Sequence, residues 1–303
     1  MAALTRVLVL GGGGFLGTNL CRALRTAGAQ TAAFGRAQVD AAALDGIEWH
    51  QGIWPTQSLP LDGVNVVFDL IGAGLPAQAN VAATVTATRR LIEACRPPIK
   101  IVFASSGGAV YGVTGSNPIV EHTATNPISS YGVAKLAAER PLLDAGHTVL
   151  RIANPYGPYQ DGARGQGLLA AIVRRICAGQ DIAIWGDGSV VRDYIHVDDV
   201  VGALLLAATS QGDQRLFNVG SGVGRSVLDV VADLGRVAGV TPRIEFHAAR
   251  PADVPVNVLD CARLRALGWR PRVAWHDGLA RLWRSEHGKH AAVDVQHLPV
   301  HER

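Results

Sequence analysis

The chain has 303 residues, of which 48% are hydrophobic and 17% charged, with a net charge of +3. This composition buries a core for one large domain, or for two lobes sharing one, and excludes a disordered chain. The small charge calls for neither a nucleic-acid nor a membrane-surface partner, and no apolar run reaches the roughly 18 residues of a membrane span.

The N-terminus leads straight into a strand, Arg6-Val7-Leu8-Val9-Leu10, with no basic segment, apolar run and cleavage site in series. That reads as a cytoplasmic protein. The stretch LVLGGGGFLG follows as Leu8 to Gly17. It fits G-x-G-x-x-G at Gly12, Gly14 and Gly17, and also G-x-x-G-x-x-G at Gly11, Gly14 and Gly17. Both registers describe a strand turning tightly into a helix whose N-terminus faces a pyrophosphate.

A helix is expected over 16–26, closed by Gly28, then strands at 31–34 and 64–71. Next come a helix at 81–94, stopped before Pro97-Pro98, a strand at 100–104, a helix at 131–140 and a strand at 148–152. Alternation of this kind implies an α/β fold with a parallel sheet and helices on both faces, binding ligands at the carboxyl ends of the strands. After Arg151 the texture changes. Asn154-Pro155-Tyr156-Gly157-Pro158 opens a loop-rich region with a helix at 168–178, a strand at 181–185 and the turn Gly186-Asp187-Gly188. Residues 285–303 are polar and histidine-bearing and read as a loose tail. Cys21, Cys95, Cys177 and Cys261 have no C-x-x-C neighbour and read as buried reduced thiols, and the histidines lack metal-ligand spacing.

The segment NPISSYGVAKLAAER places Tyr131 and Lys135 four residues apart, on one face of a helix. An ammonium beside a phenol favours the phenolate and lowers its pKa toward neutrality, which suits a general base. Y-x-x-x-K alone is common on solvated helix faces. Here it follows both a glycine-rich N-terminal loop and SSGGAVYG at Ser105 to Gly112.

In combination, GGGGFLG, SSGGAVYG, SSYGVAK, LRIANPYGPYQ, IWGDGSVVRDYIHVDDV, FNVGSG, RPADVPVNVLD and LGWRP resemble the extended short-chain dehydrogenase/reductase family. Within it, the chain is similar to the branch of nucleotide-sugar epimerases, dehydratases and 4-ketoreductases typified by UDP-glucose 4-epimerase. The resemblance runs from about residue 6 to about residue 283. It implies a Rossmann-type doubly wound parallel sheet over 1–153, with 193–219 returning to it, a smaller C-terminal substrate-binding α/β lobe over 154–285, and a tail from 286. It also selects the G-x-x-G-x-x-G register, so that Gly11, Gly14 and Gly17, with Phe15 and Leu16 between, bind the cofactor while Gly12 and Gly13 fill the loop.

By the same resemblance Tyr131 is the general base for the sugar 4-hydroxyl, and Lys135 holds the cofactor ribose and sustains the phenolate. Asn154 lies beside the nicotinamide and the sugar phosphates, and Trp185 covers the nucleotide base. Arg192 and Arg250 grip the diphosphate, and Asp253 lies near the nucleotide ribose. Arginine forks suit phosphate oxygens and aromatic faces suit a flat base. The alternatives are core packing for Trp185 and an ion pair to Asp193 or Asp198 for Arg192. His196, Asp198 and Asp199 read as caps of a helix start.

Four positions depart from the family pattern. Gly35 followed by Arg36 replaces an acid at the end of the second strand, which favours NADP while leaving NAD a candidate. Ile53 stands where an aspartate often meets the adenine. Gly107 occupies the slot of a serine or threonine that binds the sugar O4, with Ser106 the nearest hydroxyl. Asn257 falls where a bulky residue restricts 2-acetamido sugars, so an N-acetylhexosamine substrate is expected. The acid pair of the dehydratases is absent from Ser106-Gly107-Gly108-Ala109-Val110.

The expected function is a nucleotide-sugar 4-epimerase on a UDP-hexose or UDP-N-acetylhexosamine. The alternatives are an NADPH-dependent 4-ketoreductase on a UDP- or dTDP-4-keto sugar, and a non-catalytic dinucleotide-binding sensor. The resemblance also implies a homodimer built from the helices near 85–94 and 131–140, to which the Ala134, Ala137 and Ala138 spacing gives close packing. Core packing within the subunit yields the same pattern.

Overall fold

The computed structural model describes residues 4–37, 42–71, 81–115, 118–160, 167–249 and 254–296. In chain order the first half comprises β1 (Arg6–Leu10), α1 (Phe15–Thr26), β2 (Gln30–Gly35), β3 (Glu48–Gln51), β4 (Val66–Asp69), α2 (Val81–Ala94), β5 (Lys100–Ser106), α3 (Ser130–Asp144) and β6 (Thr148–Ile152). The second half comprises β7 (Asn154–Tyr156), α4 (Leu168–Cys177), β8 (Ile182–Trp185), β9 (Val191–His196), α5 (Val197–Thr209), β10 (Leu216–Val219), β11 (Gly224–Ser226), α6 (Val227–Ala238), β12 (Ile244–His247), β13 (Val256–Asn257), α7 (Ala262–Ala266) and α8 (Trp275–Gln296).

Seven parallel strands make the central sheet in the order β3-β2-β1-β4-β5-β6-β10. This is the doubly wound Rossmann-type arrangement. The strand order reverses between β1 and β4, which opens a crevice at their carboxyl ends. β1 is apolar at every position from Val7 to Leu10 because it is buried on both faces. One face packs against α1 and α5 through Val7, Val9, Leu20, Leu24 and Leu204, and the other against α2 and α3 through Leu8, Leu10, Leu91 and Leu142.

The chain leaves this sheet after β6 and comes back to it with α5 and β10, where Leu216–Val219 pairs with Val149–Ile152. A small mixed sheet of β11, β9, β13 and β7, and the parallel pair β8–β12, form the second lobe with α4, α6 and α8. That lobe has its own core around Tyr156, Ile172, Ile184, Val230, Leu234 and Leu282. Cys21, Cys95 and Cys261 are buried, Cys177 is half-buried, and all four thiols are free.

Two readings change. The stretch from Ser285, expected to be loose, continues the helix α8 to Gln296. Glu286 is 6% exposed, so the helix is docked at this point rather than frayed. Gly12 is no filler: a Cβ there would lie 2.6 Å from Ala33 Cβ on β2. Gly17 is tighter still, since its Cβ would meet Gly11 O at 2.2 Å. Close approach at these two points seats the glycine loop on β2 and α1 on the loop. Gly17→Ala is therefore expected to cost about 1–3 kcal/mol through overpacking, read as a lower urea midpoint than the parent protein's.

Candidate active site

The turn from β1 to α1 offers an anion cradle. Gly14 caps α1 with extended backbone, no side chain caps the helix, and no acid sits in its first turn. The leading amides at Phe15 and Leu16 and the positive end of the helix dipole are thus available to a phosphate. Across the crevice, a Cβ on Gly11 would lie 3.3 Å from the carbonyl of Leu70. Arg36 is exposed, directly beyond Gly35 at the end of β2, and Ile53 is 55% exposed. These features fit a nicotinamide dinucleotide, whose pyrophosphate would lie against the residues from Gly11 to Gly17.

Tyr131 and Lys135, the expected catalytic pair, project from the start of α3. Ser129 caps the helix by accepting from Gly132 N. Gly132 lets the first turn press on the loop after β5, because a Cβ there would stand 2.5 Å from Ala109 O. That close approach delivers Tyr131 to Ser106, whose hydroxyl is hydrogen-bonded to the phenol. Gly107 accommodates no side chain, since its Cβ would lie 2.5 Å from Leu259 Cδ1. Ser106 is the hydroxyl that stands beside the tyrosine.

Lys135 follows one turn on and is 4% exposed. Its Nζ donates to Ile71 O (3.0 Å) and Ala104 O (2.6 Å), and lies over the Phe103 ring at 4.5 Å. Burial lowers its pKa to about 8, against the opposing charges of Asp69 and Glu139. The expectation that Lys135 lowers the pKa of the phenol is not met here. Burial raises the Tyr131 pKa and the Ser106 hydrogen bond opposes that rise. The ammonium points instead at the two carbonyls closing β4 and β5.

Glu139, a further turn along the same stripe, was not singled out in the sequence. It forms a two-pronged pair with Arg151 (2.6–3.1 Å) and accepts from Ser105 Oγ at 2.5 Å. Arg151 also donates to Glu121 O and stacks on Tyr111, whose hydroxyl donates to Asn218. The signal was present in the 131–135–139 spacing.

On the second lobe, Asn154 donates to Asp193 O at 3.0 Å. Trp185 is 42% exposed and stacks on His247 at 5.4 Å, so it is not a core residue. Arg192 Nη1 donates to Val191 O and Val254 O. Asp193 accepts instead from Ser221, Gly222 and Leu259, and Asp198 pairs with Arg281. Asn257 sits beside Arg192 in the β13–β9 register, fully buried, and donates to Gly107 O at 3.1 Å. His196 caps α5 by accepting from Asp198 N. Arg250 and Asp253 lie outside the described residues.

The model of the NAD dependent epimerase/dehydratase family matches residues 7–220. The chain belongs to that family. It is 39% identical over 214 residues to a UDP-glucose 4-epimerase of Mycolicibacterium smegmatis, covering 68% of this chain and 67% of the relative. It is 34% identical to a dTDP-4-dehydro-6-deoxyglucose reductase of Escherichia coli, covering 68% and 66%. The UDP-glucose 4-epimerase of Thermotoga maritima, solved with UDP-glucose, superposes with a TM-score of 0.82 at 30% identity, over 94% of this chain and 99% of that one. The epimerase/dehydratase family and these relatives make the chain an NAD(P)-dependent enzyme of the extended short-chain dehydrogenase/reductase type. Among the described residues, no helix is long and apolar enough to cross a membrane.

Removing one partner of a buried ion pair strands the other's charge. Glu139→Gln is expected to destabilise the protein by about 3–5 kcal/mol, seen as a large fall in the urea midpoint.

Proposed function

We propose that the chain is a nucleotide-sugar 4-epimerase acting on a UDP-hexose or UDP-N-acetylhexosamine. The observation that carries this reading is the Ser106–Tyr131 hydrogen bond, set one helical turn from a buried lysine at the mouth of the dinucleotide crevice. NAD or NADP, held by the residues from Gly11 to Gly17 and by Lys135, would supply the redox chemistry at C4. Tyr131 takes the proton of the 4-hydroxyl, with Ser106 holding the sugar oxygen in line. After the 4-keto sugar has turned in the pocket, hydride would return to the opposite face of C4, and the same phenol gives the proton back to the 4-oxygen.

Asn154, Arg192 and Arg250 would hold the phosphates, Asp253 the nucleotide ribose and Trp185 the base. The exposure of Trp185 and the seating of Arg192 on the Val191 and Val254 carbonyls support these roles. Asn257 is smaller than an aromatic ring and is tied back to Gly107 O, which supports room for a 2-acetamido group. We also read 1–153 with 193–219 as the cofactor domain and 154–285 as the substrate lobe. The proposed homodimer pairs the outer surfaces of α2 and α3. Ala134 and Ala138 are fully buried within the subunit, which leaves Ala82, Ala83 and Val133 as the outward-facing contacts.

A second reading, an NADPH-dependent 4-ketoreductase, is favoured by the exposed Arg36 at the end of an acid-free β2. The two differ in cofactor retention, because an epimerase regains its reducing equivalent each cycle and a reductase releases the spent form. Nucleotide released from the denatured protein should be tightly held NAD or NADP. An empty protein that exchanges NADPH freely would move the assignment to the reductase. Tyr131→Phe should stay folded and lose about 10²–10⁴-fold in kcat, and unchanged turnover would contradict both enzyme readings.

A further inference from the structure

A buried ammonium gives up hydration, and something must keep it charged. Two carboxylates act on Lys135, Asp69 at the end of β4 and Glu139 on α3. They are not equivalent. Glu139 is closed against Arg151 by three hydrogen bonds, so its charge is already balanced. Asp69 is 8% exposed; burial raises its pKa, and the Lys135 ammonium and the Ile71 amide oppose that rise. Its other ionisable neighbour is the Cys95 thiol at the end of α2, held neutral by burial and by Asp69 itself.

One residue, Ile71, joins the aspartate to the lysine through its two flanking peptides. Ile71 N–H donates to Asp69 Oδ1 at 3.1 Å, while Ile71 C=O accepts from Lys135 Nζ at 3.0 Å. The same turn lies against the glycine loop, where Gly11 abuts Leu70. We propose that Asp69 is the positioning residue of the active-site lysine: it holds Ile71 by its amide, so that the Ile71 carbonyl receives Lys135, and it supplies a counter-charge to the ammonium. For the purpose of that ammonium the inference rests on the proposed function. The lysine's charge can be read without any turnover, so the two fail separately.

The chain contains three lysines, Lys100, Lys135 and Lys289. Protein labelled with ¹³Cε-lysine therefore gives three signals, assigned with Lys289→Arg and Lys135→Arg. In the parent, Lys135 should titrate at about 8. Asp69→Asn keeps an acceptor for Ile71 N–H and removes only the charge. It should lower the Lys135 midpoint by about one unit or more, leave Lys100 unmoved, and be largely reversed in Asp69→Glu. A folded Asp69→Asn protein with an unchanged Lys135 midpoint overturns the proposal, as does a parallel shift of Lys100. If the Asn variant does not fold, the parent still decides. A Lys135 midpoint at about 6 or below would mean that no carboxylate supports the ammonium.

Discussion

The site depends on a backbone-to-backbone approach, the first turn of α3 against the loop after β5. A methyl group at Gly132 would be driven into Ala109 O, so the helix reaches this depth only with glycine there. Once seated, α3 presents Tyr131, Lys135 and Glu139 in a single stripe. Each then meets a different part of the sheet. Tyr131 meets Ser106 at the end of β5, Lys135 meets the carbonyls of Ile71 and Ala104, and Glu139 meets Arg151 on β6. The helix is thereby held at three levels, and the Tyr131 phenol is the outermost.

The polar groups beneath the phenol make this arrangement exacting. Glu139, Arg151, Ser105, Glu121, Tyr111 and Asn218 form a connected network away from water. Such a network is worth little as net stability against an apolar core, but a partly satisfied version is costly. It therefore resists rotation or sliding of α3, and geometry at Tyr131 is preserved. The second lobe, with its own core around β9 and α4, holds Asn154, Trp185 and Arg192 by a separate set of contacts.

Much of this was readable in the sequence, for identifiable reasons. Strands buried on both faces leave continuous apolar runs, so β1, β5 and β6 stand out, and the 131–135 spacing is a helix-face signal. β3 did not stand out because Glu48-Trp49-His50-Gln51 is an edge strand with no alternation, made a strand by pairing with β2. Asp69 lies inside the run read as the strand 64–71, and nothing in the sequence singled it out. Its meaning depends on Lys135, 66 positions later, reached through the amide and the carbonyl of Ile71. The Tyr131 pKa was misjudged because spacing reports which side chains are neighbours and says nothing of what the ammonium is bonded to. Gly107 looked like a lost hydroxyl, whereas Leu259 occupies the space and Ser106 makes the contact.

The central claim is that one site removes and returns the same hydrogen at C4. Deuterium at C4 tests it directly, using UDP-[4-²H]glucose and its 2-acetamido counterpart in separate incubations, with the products resolved by mass and by NMR. The account predicts the 4-epimer of at least one substrate with the label still on C4. A 4-epimer that has lost its deuterium, or no epimer from either substrate by a protein loaded with cofactor, would contradict it.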